Sequence, residues 1–166
     1  KRQVRFVDRC PDEHLDAWVI SRNAMNYAPL EGIEMNEWQL DADDIREDEE
    51  VRGLLGQRMR HILAVTPDGA PCGHTTVKVN THRPAASEQW DTAVLEAHRN
   101  RGIGRWLKAE MWRWIRDTEP EVTRLATGNA QSNDPMLNIN VAMGYTPLVE
   151  YGAWQADVTT YREALG

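Results

Sequence analysis

The stretch Arg99-Asn100-Arg101-Gly102-Ile103-Gly104 decides how this chain is read. Just upstream, Gln89-Trp90-Asp91-Thr92-Ala93-Val94-Leu95 is rich in β-formers, and from Arg105 to Ile115 apolar residues recur at helical spacing. A glycine turn that opens a helix leaves several backbone N–H groups unpaired and pointing one way, with the positive end of the helix dipole behind them. That arrangement binds an anion, and a pyrophosphate fits it well. Arg99, Arg101 and Arg105 add side-chain charge around the same spot. The plain alternative is two glycines that end a strand, and six residues alone do not decide between them.

Length and composition set the outer limits. With 166 residues, a single domain spanning 1–166 is expected, long enough to bury a substantial core. The hydrophobic fraction of 41% and charged fraction of 27% are those of an ordinary globular protein. No apolar run approaches the length of a membrane span, and no leader pattern opens the sequence. Two cysteines, Cys10 and Cys72, stand far apart without metal-like spacing, which points to a reduced, cytoplasmic setting. The first residue is Lys1, so either the start is trimmed or the chain is a piece of a longer one. A net charge of −7 argues against a nucleic-acid surface. The acidity concentrates in residues 41–50, best read as a solvated face that at most favours a cationic substrate.

Along the chain the pattern alternates between α and β. Residues 3–7 read as a strand, and Pro11-Asp12-Glu13 opens a helix towards Met25 with Leu15, Trp18, Val19 and Ala24 facing inward. Residues 27–35 read as a loop, and 41–59 as a second helix weakened by Gly53 and Gly56. Residues 61–65 and 74–79 flank Pro67-Asp68-Gly69 and predict a hairpin. A loop over 81–87, a strand over 89–95, the glycine turn and a helix over 103–117 follow, broken at Thr118-Glu119-Pro120. The remainder predicts a strand over 122–127, a helix from Asp134-Pro135 to Gly144, and two strands over 145–150 and 153–158. No repeat or linker interrupts this order.

Arg-x-x-Gly-x-Gly at 99–104 resembles the coenzyme A pyrophosphate loop of the GNAT superfamily of N-acetyltransferases. The segment from Asn133 to Gly144-Tyr145 is similar to that family's last helix, which starts near an asparagine and closes with Gly-Phe or Gly-Tyr. Two weak motifs at the family's usual separation make a stronger one. The resemblance covers nearly the whole chain and is specific from Trp90 to Tyr145. Residues 89–99, Thr127-Gly128-Asn129-Ala130 and Asn133 look like an actinobacterial branch in which two such halves stand in tandem, as in mycothiol synthase-like enzymes. The resemblance implies an α/β acyl-CoA N-acyltransferase fold, with a mixed, mostly antiparallel sheet of about seven strands and flanking helices. It also implies an acetyl-CoA-dependent transferase acting on a primary amine of a small molecule.

Residue roles follow. The backbone of Arg101, Gly102, Ile103 and Gly104, with Arg99, Asn100 and Arg105 around it, is expected to hold the pyrophosphate. Val94 and Glu96 would offer backbone groups to the pantetheine arm. Asn133 matches the family's cofactor-side asparagine, yet it also stands where a helix cap belongs. Amine acetylation needs proton removal and stabilisation of the developing charge. Glu88, six residues before Val94, is the first candidate base; strand alternation puts it on one face with Trp90, Thr92 and Val94, and puts Asp91, the second candidate, on the other. The position of the family's usual acid tyrosine is Asn140, which donates a hydrogen bond to a thiolate but no proton. That departure keeps open a catalytically silent acyl-CoA-binding domain in a tandem protein.

Other chemistries lack their signatures. His14, His61, His74, His82 and His98 have no metal-ligand spacing, and no metal is expected. A hydrolase elbow and a P-loop are missing, and Leu107 replaces the third small residue of a dinucleotide fingerprint. Trp106, Trp112 and Trp114 suggest core packing first, and contact with a second domain or a homodimer partner next. Trp18, Trp38 and Trp90 are candidates for a substrate pocket. Neither nucleic acid nor membrane is expected as a partner.

Overall fold

A computed structural model describes residues 1–27, 38–152, 154 and 156–159. The described chain divides into two compact units, one of residues 1–27 and 38–129 and one starting at 130. The first holds strands β1 (Arg2–Val7), β2 (Gln57–Val65), β3 (Pro71–Asn80), β4 (Ala86–Val94) and β5 (Arg124–Ala126). Its helices are α1 (Leu15–Asn23), α2 (Ala42–Leu54) and α3 (Ile103–Thr118). The second unit holds α4 (Asp134–Ala142).

The sheet order is β1-β2-β3-β4-β5, antiparallel throughout except for the parallel pair β4–β5. The β2–β3 hairpin closes as its turn chemistry predicts. Gly69 adopts φ +94°, and the Thr66 hydroxyl accepts from the Ala70 N–H at 3.0 Å. The parallel pair requires a crossover, and α3 supplies it, lying on one face of the sheet.

Strand alternation then divides the core in two. Ile62, Ala64, Cys72, Val77 and Val79 meet Ile103, Leu107, Met111 and Ile115 of α3. Leu63, Val65 and Phe6 meet Trp18 of α1 and Ile45 of α2 on the opposite face. The α1 and α2 start signals differ in strength. Asp41 and Asp44 form a reciprocal capping box on α2, whereas Leu15 follows a 3-10 turn over Asp12–His14 with no side-chain cap.

Three expectations need correction. The second helix stops at Leu54, not at 59. Gly56 turns the chain at φ +65°, and residues 57–65 instead form a strand that pairs with β3 along its length and with β1 over 60–65. No strand forms over 145–150: Pro147 has no N–H to give a ladder, and Leu148 and Val149 stay exposed. Of 153–158, residues 153 and 155 lie outside the described residues, and the others carry no strand. The sheet of the described residues therefore has five strands rather than about seven. Residues 28–35 of the expected loop also lie outside the described residues.

Candidate active site

The turn after β4 is built as the sequence predicts. A short 3-10 turn over Glu96–His98 follows the strand, Asn100 takes φ +58°, and Gly102 takes φ +73° as the residue that opens α3. The first intrahelical bond runs from the Trp106 N–H to the Gly102 carbonyl at 3.0 Å. The N–H groups of Ile103, Gly104 and Arg105 precede it and have no acceptor within the helix. The first turn holds no acidic residue and no side chain caps it. A Cβ placed on Gly102 would meet nothing within 4 Å, so the turn is open on the side that Gly102 presents. Arg101 and Arg105 are exposed beside it, and no carboxylate among the described residues pairs with either.

Arg99 turns back. Its Nε donates to the Val94 carbonyl at 3.1 Å, and its N–H bonds the Glu96 carbonyl at 3.1 Å. The carbonyls of Val94 and Glu96 thus each accept one bond from Arg99, which fixes the path from strand to turn.

β4 and β5 pair only over Ala86–Glu88 and Arg124–Ala126. Beyond the pair Glu88↔Ala126 the two strands part, so the β4 edge over 89–94 has no strand partner among the described residues. An unpaired edge offers alternating N–H and C=O groups to any amide-bearing chain laid beside it. On its other side β4 is held very close to β3. A Cβ on Gly73 would sit 2.4 Å from the Ala93 carbonyl oxygen.

A β-bulge lies in the middle of this edge. Val77 pairs with Gln89 and Thr75 with Thr92, so Trp90 and Asp91 together stand opposite Thr76. Both side chains turn to the α1/α2 face. Asp91 Oδ2 lies 3.2 Å from Arg22 Nη2 of α1, and the Trp90 ring centroid lies 5.6 Å from the Arg52 guanidinium of α2. Gln89 and Thr92 face the other way, where Thr75 Oγ1 takes the Gln89 amide at 3.0 Å and meets the Thr92 hydroxyl at 2.8 Å. Simple alternation therefore fails. Glu88 and Trp90 share a face with Asp91, and Thr92 and Val94 belong to the α3 side.

Electrostatics separate the two carboxylates. Glu88 is paired with Lys78, directly across on β3, at 2.7 Å, and its side chain remains 47% exposed. Lys78 Nζ also lies 4.2 Å from the Trp90 centroid. Asp91 is largely buried. Burial raises its pKa, while the nearby Arg22 and Arg52 charges pull it down. Next to this pair, His74 and His61 both make edge contacts with Trp18, at centroid distances of 5.1 and 5.0 Å. His74 Nδ1 bonds the Ser21 hydroxyl at 2.8 Å, and His61 Nδ1 bonds the Thr76 hydroxyl at 3.0 Å. Burial pushes His74 down to about 3 and His61 well below its ordinary value. Both are neutral core histidines. Trp18 is likewise core, whereas Trp90 and Trp38 are partly exposed.

In the second unit, the Asn133 side chain accepts from the Met136 N–H at 3.3 Å, with Pro135 in the first turn, so it caps α4. Asn140 lies two turns along the same helix and is buried. Sequence reading passed over Lys78, Arg22 and Arg52. Nothing in their spacing marks them, because the bulge that gathers them leaves no signature in one sequence.

A profile of the acetyltransferase (GNAT) family matches residues 25–145. Comparison with the curated proteins found no match. Among solved structures, a tandem GNAT protein from the clavulanic acid biosynthesis pathway superposes with a TM-score of 0.73 at 28% identity. The match covers 88% of this chain and only 42% of that one, so the chain spans less than half of that relative's length. The ribosomal-protein-alanine N-acetyltransferase from Brucella melitensis gives 0.64 at 21% identity, covering 84% of this chain and 83% of that one. The aminoglycoside N-acetyltransferase AAC(6')-Iy, bound to a bisubstrate analogue, gives 0.63 at 16% identity, with 95% and 99% covered. These last two likenesses concern the fold.

Proposed function

The chain belongs to the acetyltransferase (GNAT) family, and on that premise we propose that it moves an acetyl group from acetyl-CoA to a primary amine of a small molecule in a ternary complex. The observation that carries this reading is the open, carboxylate-free N-terminus of α3, joined by β4 to an unpaired strand edge. Bound there, the cosubstrate would supply an activated thioester. Its pyrophosphate would be held by the N–H groups of Ile103, Gly104 and Arg105 and by the Arg101 and Arg105 side chains, with Gly102 leaving room for close approach. The β4 edge over 89–94 would pair with the amides of the pantetheine arm.

Glu88 is the proposed base. It is the more exposed carboxylate on the α1/α2 face, and it sits where β4 and β5 part. Asp91, clamped by Arg22, is better suited to a fixed negative charge that orients a cationic acceptor than to taking a proton from it. On the family pattern, the amide at the Asn140 position would donate a hydrogen bond to a thiolate, and Asn133 caps α4 where the family has its cofactor-side asparagine. No tyrosine stands at the Asn140 position, so solvent protonates the leaving group, which suffices for a thiolate.

The domain is read as a single GNAT unit spanning 1–166, cytoplasmic, with a small-molecule amine as its partner. The tandem relative supports a second GNAT domain beside it, with a homodimer partner as the alternative. A silent acyl-CoA-binding half is the second reading, favoured by Asn140 in the acid position. A thiol-release assay with acetyl-CoA and a wide panel of primary amines separates the two. Release that depends on one class of amine supports the transferase, and cofactor binding without release from any amine supports the silent half.

A further inference from the structure

The amine nearest to Glu88 is one of the protein's own. Lys78 Nζ lies 2.7 Å from Glu88 Oε2 and 4.2 Å from the centre of the Trp90 ring. It is therefore held by a carboxylate and an aromatic face, as an amine acceptor would be. The pair Lys78↔Glu88 stands opposite Glu88↔Ala126, the last rung before β4 and β5 separate. From Val94 back to Glu88 the edge spans six residues, roughly 20 Å of extended chain. An arm anchored at the α3 N-terminus and paired along that edge ends beside Lys78.

Composition makes this placement selective. The chain has sixteen arginines and only three lysines, Lys1, Lys78 and Lys108. Lys108 is buried on the inner side of α3, and Lys1 is at the chain start. An arginine would serve the structural pair with Glu88 and Trp90 at least as well, since guanidinium is the commoner partner in both roles. At this one position on the acceptor face the chain instead carries an acylatable amine.

We propose that Lys78 is a self-acetylation site, modified in cis on Nζ by the acetyl thioester bound along the β4 edge. This rests on the reading of Glu88 as the base. Glu88 takes a proton from the Lys78 ammonium, and Nζ attacks the thioester carbonyl carbon. The new N–C bond forms as the C–S bond breaks. Coenzyme A leaves as a thiolate, which takes up through solvent the second proton that Nζ sheds as the amide forms, and Glu88 returns its proton to water. The products are Nζ-acetyl-lysine and one free thiol per chain. The modification removes the positive charge at Lys78 and so ends the ion pair with Glu88.

The test is peptide mass spectrometry of the whole chain incubated with deuterated acetyl-CoA and no added amine. One label at Lys78, formed at least tenfold faster than at Lys1, is expected. Its rate should be unchanged over a tenfold range of protein concentration, and one thiol should be released per label. Glu88→Gln and Gly102→Asp should each slow it by tenfold or more, and Lys78→Arg should abolish it. The proposal is overturned if Lys78 stays unlabelled while the same preparation acetylates an added amine. It is equally overturned if Lys78 labels no faster than Lys1 and Glu88→Gln has no effect. Failure of the chain to bind acetyl-CoA in a separate titration instead removes the proposed function, and this inference with it.

Discussion

The two faces of the five-stranded sheet differ in what they are made of. Under α3 the centre is aliphatic, Ile62, Val77 and Val79 against Leu107, Met111 and Ile115, with Thr75, Gln89 and Thr92 and the Arg60–Glu119 pair around it. Under α1 and α2 an aromatic cluster gives way to His61, His74, Ser21, Arg22 and Asp91, and then to Lys78, Glu88 and Trp90 towards solvent. Both faces belong to the same strands, so the difference lies in the residues and not in the backbone. Among the described residues, the buried apolar cluster under α3 holds nine residues and the opposite one six, and the opposite face carries Glu88, Asp91 and the two core histidines. In the middle of β4 the splay from β5 opens the edge after Glu88, and the bulge re-aims Asp91.

That division is breakable by mutation. Met111→Ala removes a fully buried side chain from the α3 face and should cost about 3 kcal/mol of unfolding free energy, within the usual 2–5 kcal/mol. Acetyl transfer by the folded fraction should hardly change. A matching loss of turnover at temperatures where the variant stays folded would mean the faces are not separable. Glu88→Gln should do the reverse. The rate of acetyl transfer should fall roughly 10²-fold, the scale of a general base, with coenzyme A affinity and the urea midpoint near wild type. Full activity in Glu88→Gln would assign the base elsewhere. Asp91→Asn is no neutral control, because the bulge puts it on the same face and its loss leaves Arg22 buried without its partner.

A pH titration of stability sharpens the contrast. In the folded chain His74 titrates at about 3 and His61 well below its usual value, both because burial disfavours the charged form. The unfolded chain takes up these protons near pH 6.5 and the native chain does not. Stability should therefore fall as pH drops below about 6.5, by about 1.4 kcal/mol per pH unit for each histidine. By pH 5 the loss from His74 alone is about 2 kcal/mol. Replacing His74 with Gln should flatten that slope, measured by urea unfolding between pH 7 and 5. An unchanged slope would mean that the acid sensitivity arises elsewhere.

Legibility in the sequence followed the same division. The α3 face was readable because helical spacing from Arg105 to Ile115 and β alternation each repeat over many residues, and the glycine turn has a chemistry of its own. Gly102 at φ +73° and the uncapped first turn of α3 are as Arg-x-x-Gly-x-Gly suggested. The α1/α2 face was less readable. One extra residue in β4 reverses the parity of every position beyond it, so Glu88 and Asp91 were assigned to opposite faces when they share one. Lys78 looked like an ordinary strand position, and its partner across the ladder is fixed only by register. The strand expected over 145–150 fails for a local reason, Pro147 within it.

The claim on which all of this depends is that the N-terminus of α3 holds the pyrophosphate of acetyl-CoA. Calorimetric titration of the wild-type chain and of Gly102→Asp tests it directly. Gly102 faces open space, so the aspartate fits sterically at a modest backbone cost and sets a negative charge in front of the donors. The account predicts saturable one-to-one binding by the wild type. It predicts binding weakened roughly 10²-fold in the variant, as expected for losing two charge-assisted hydrogen bonds of about 1.5 kcal/mol each. Absence of binding to the wild type, or equal affinity in the two proteins, would contradict it.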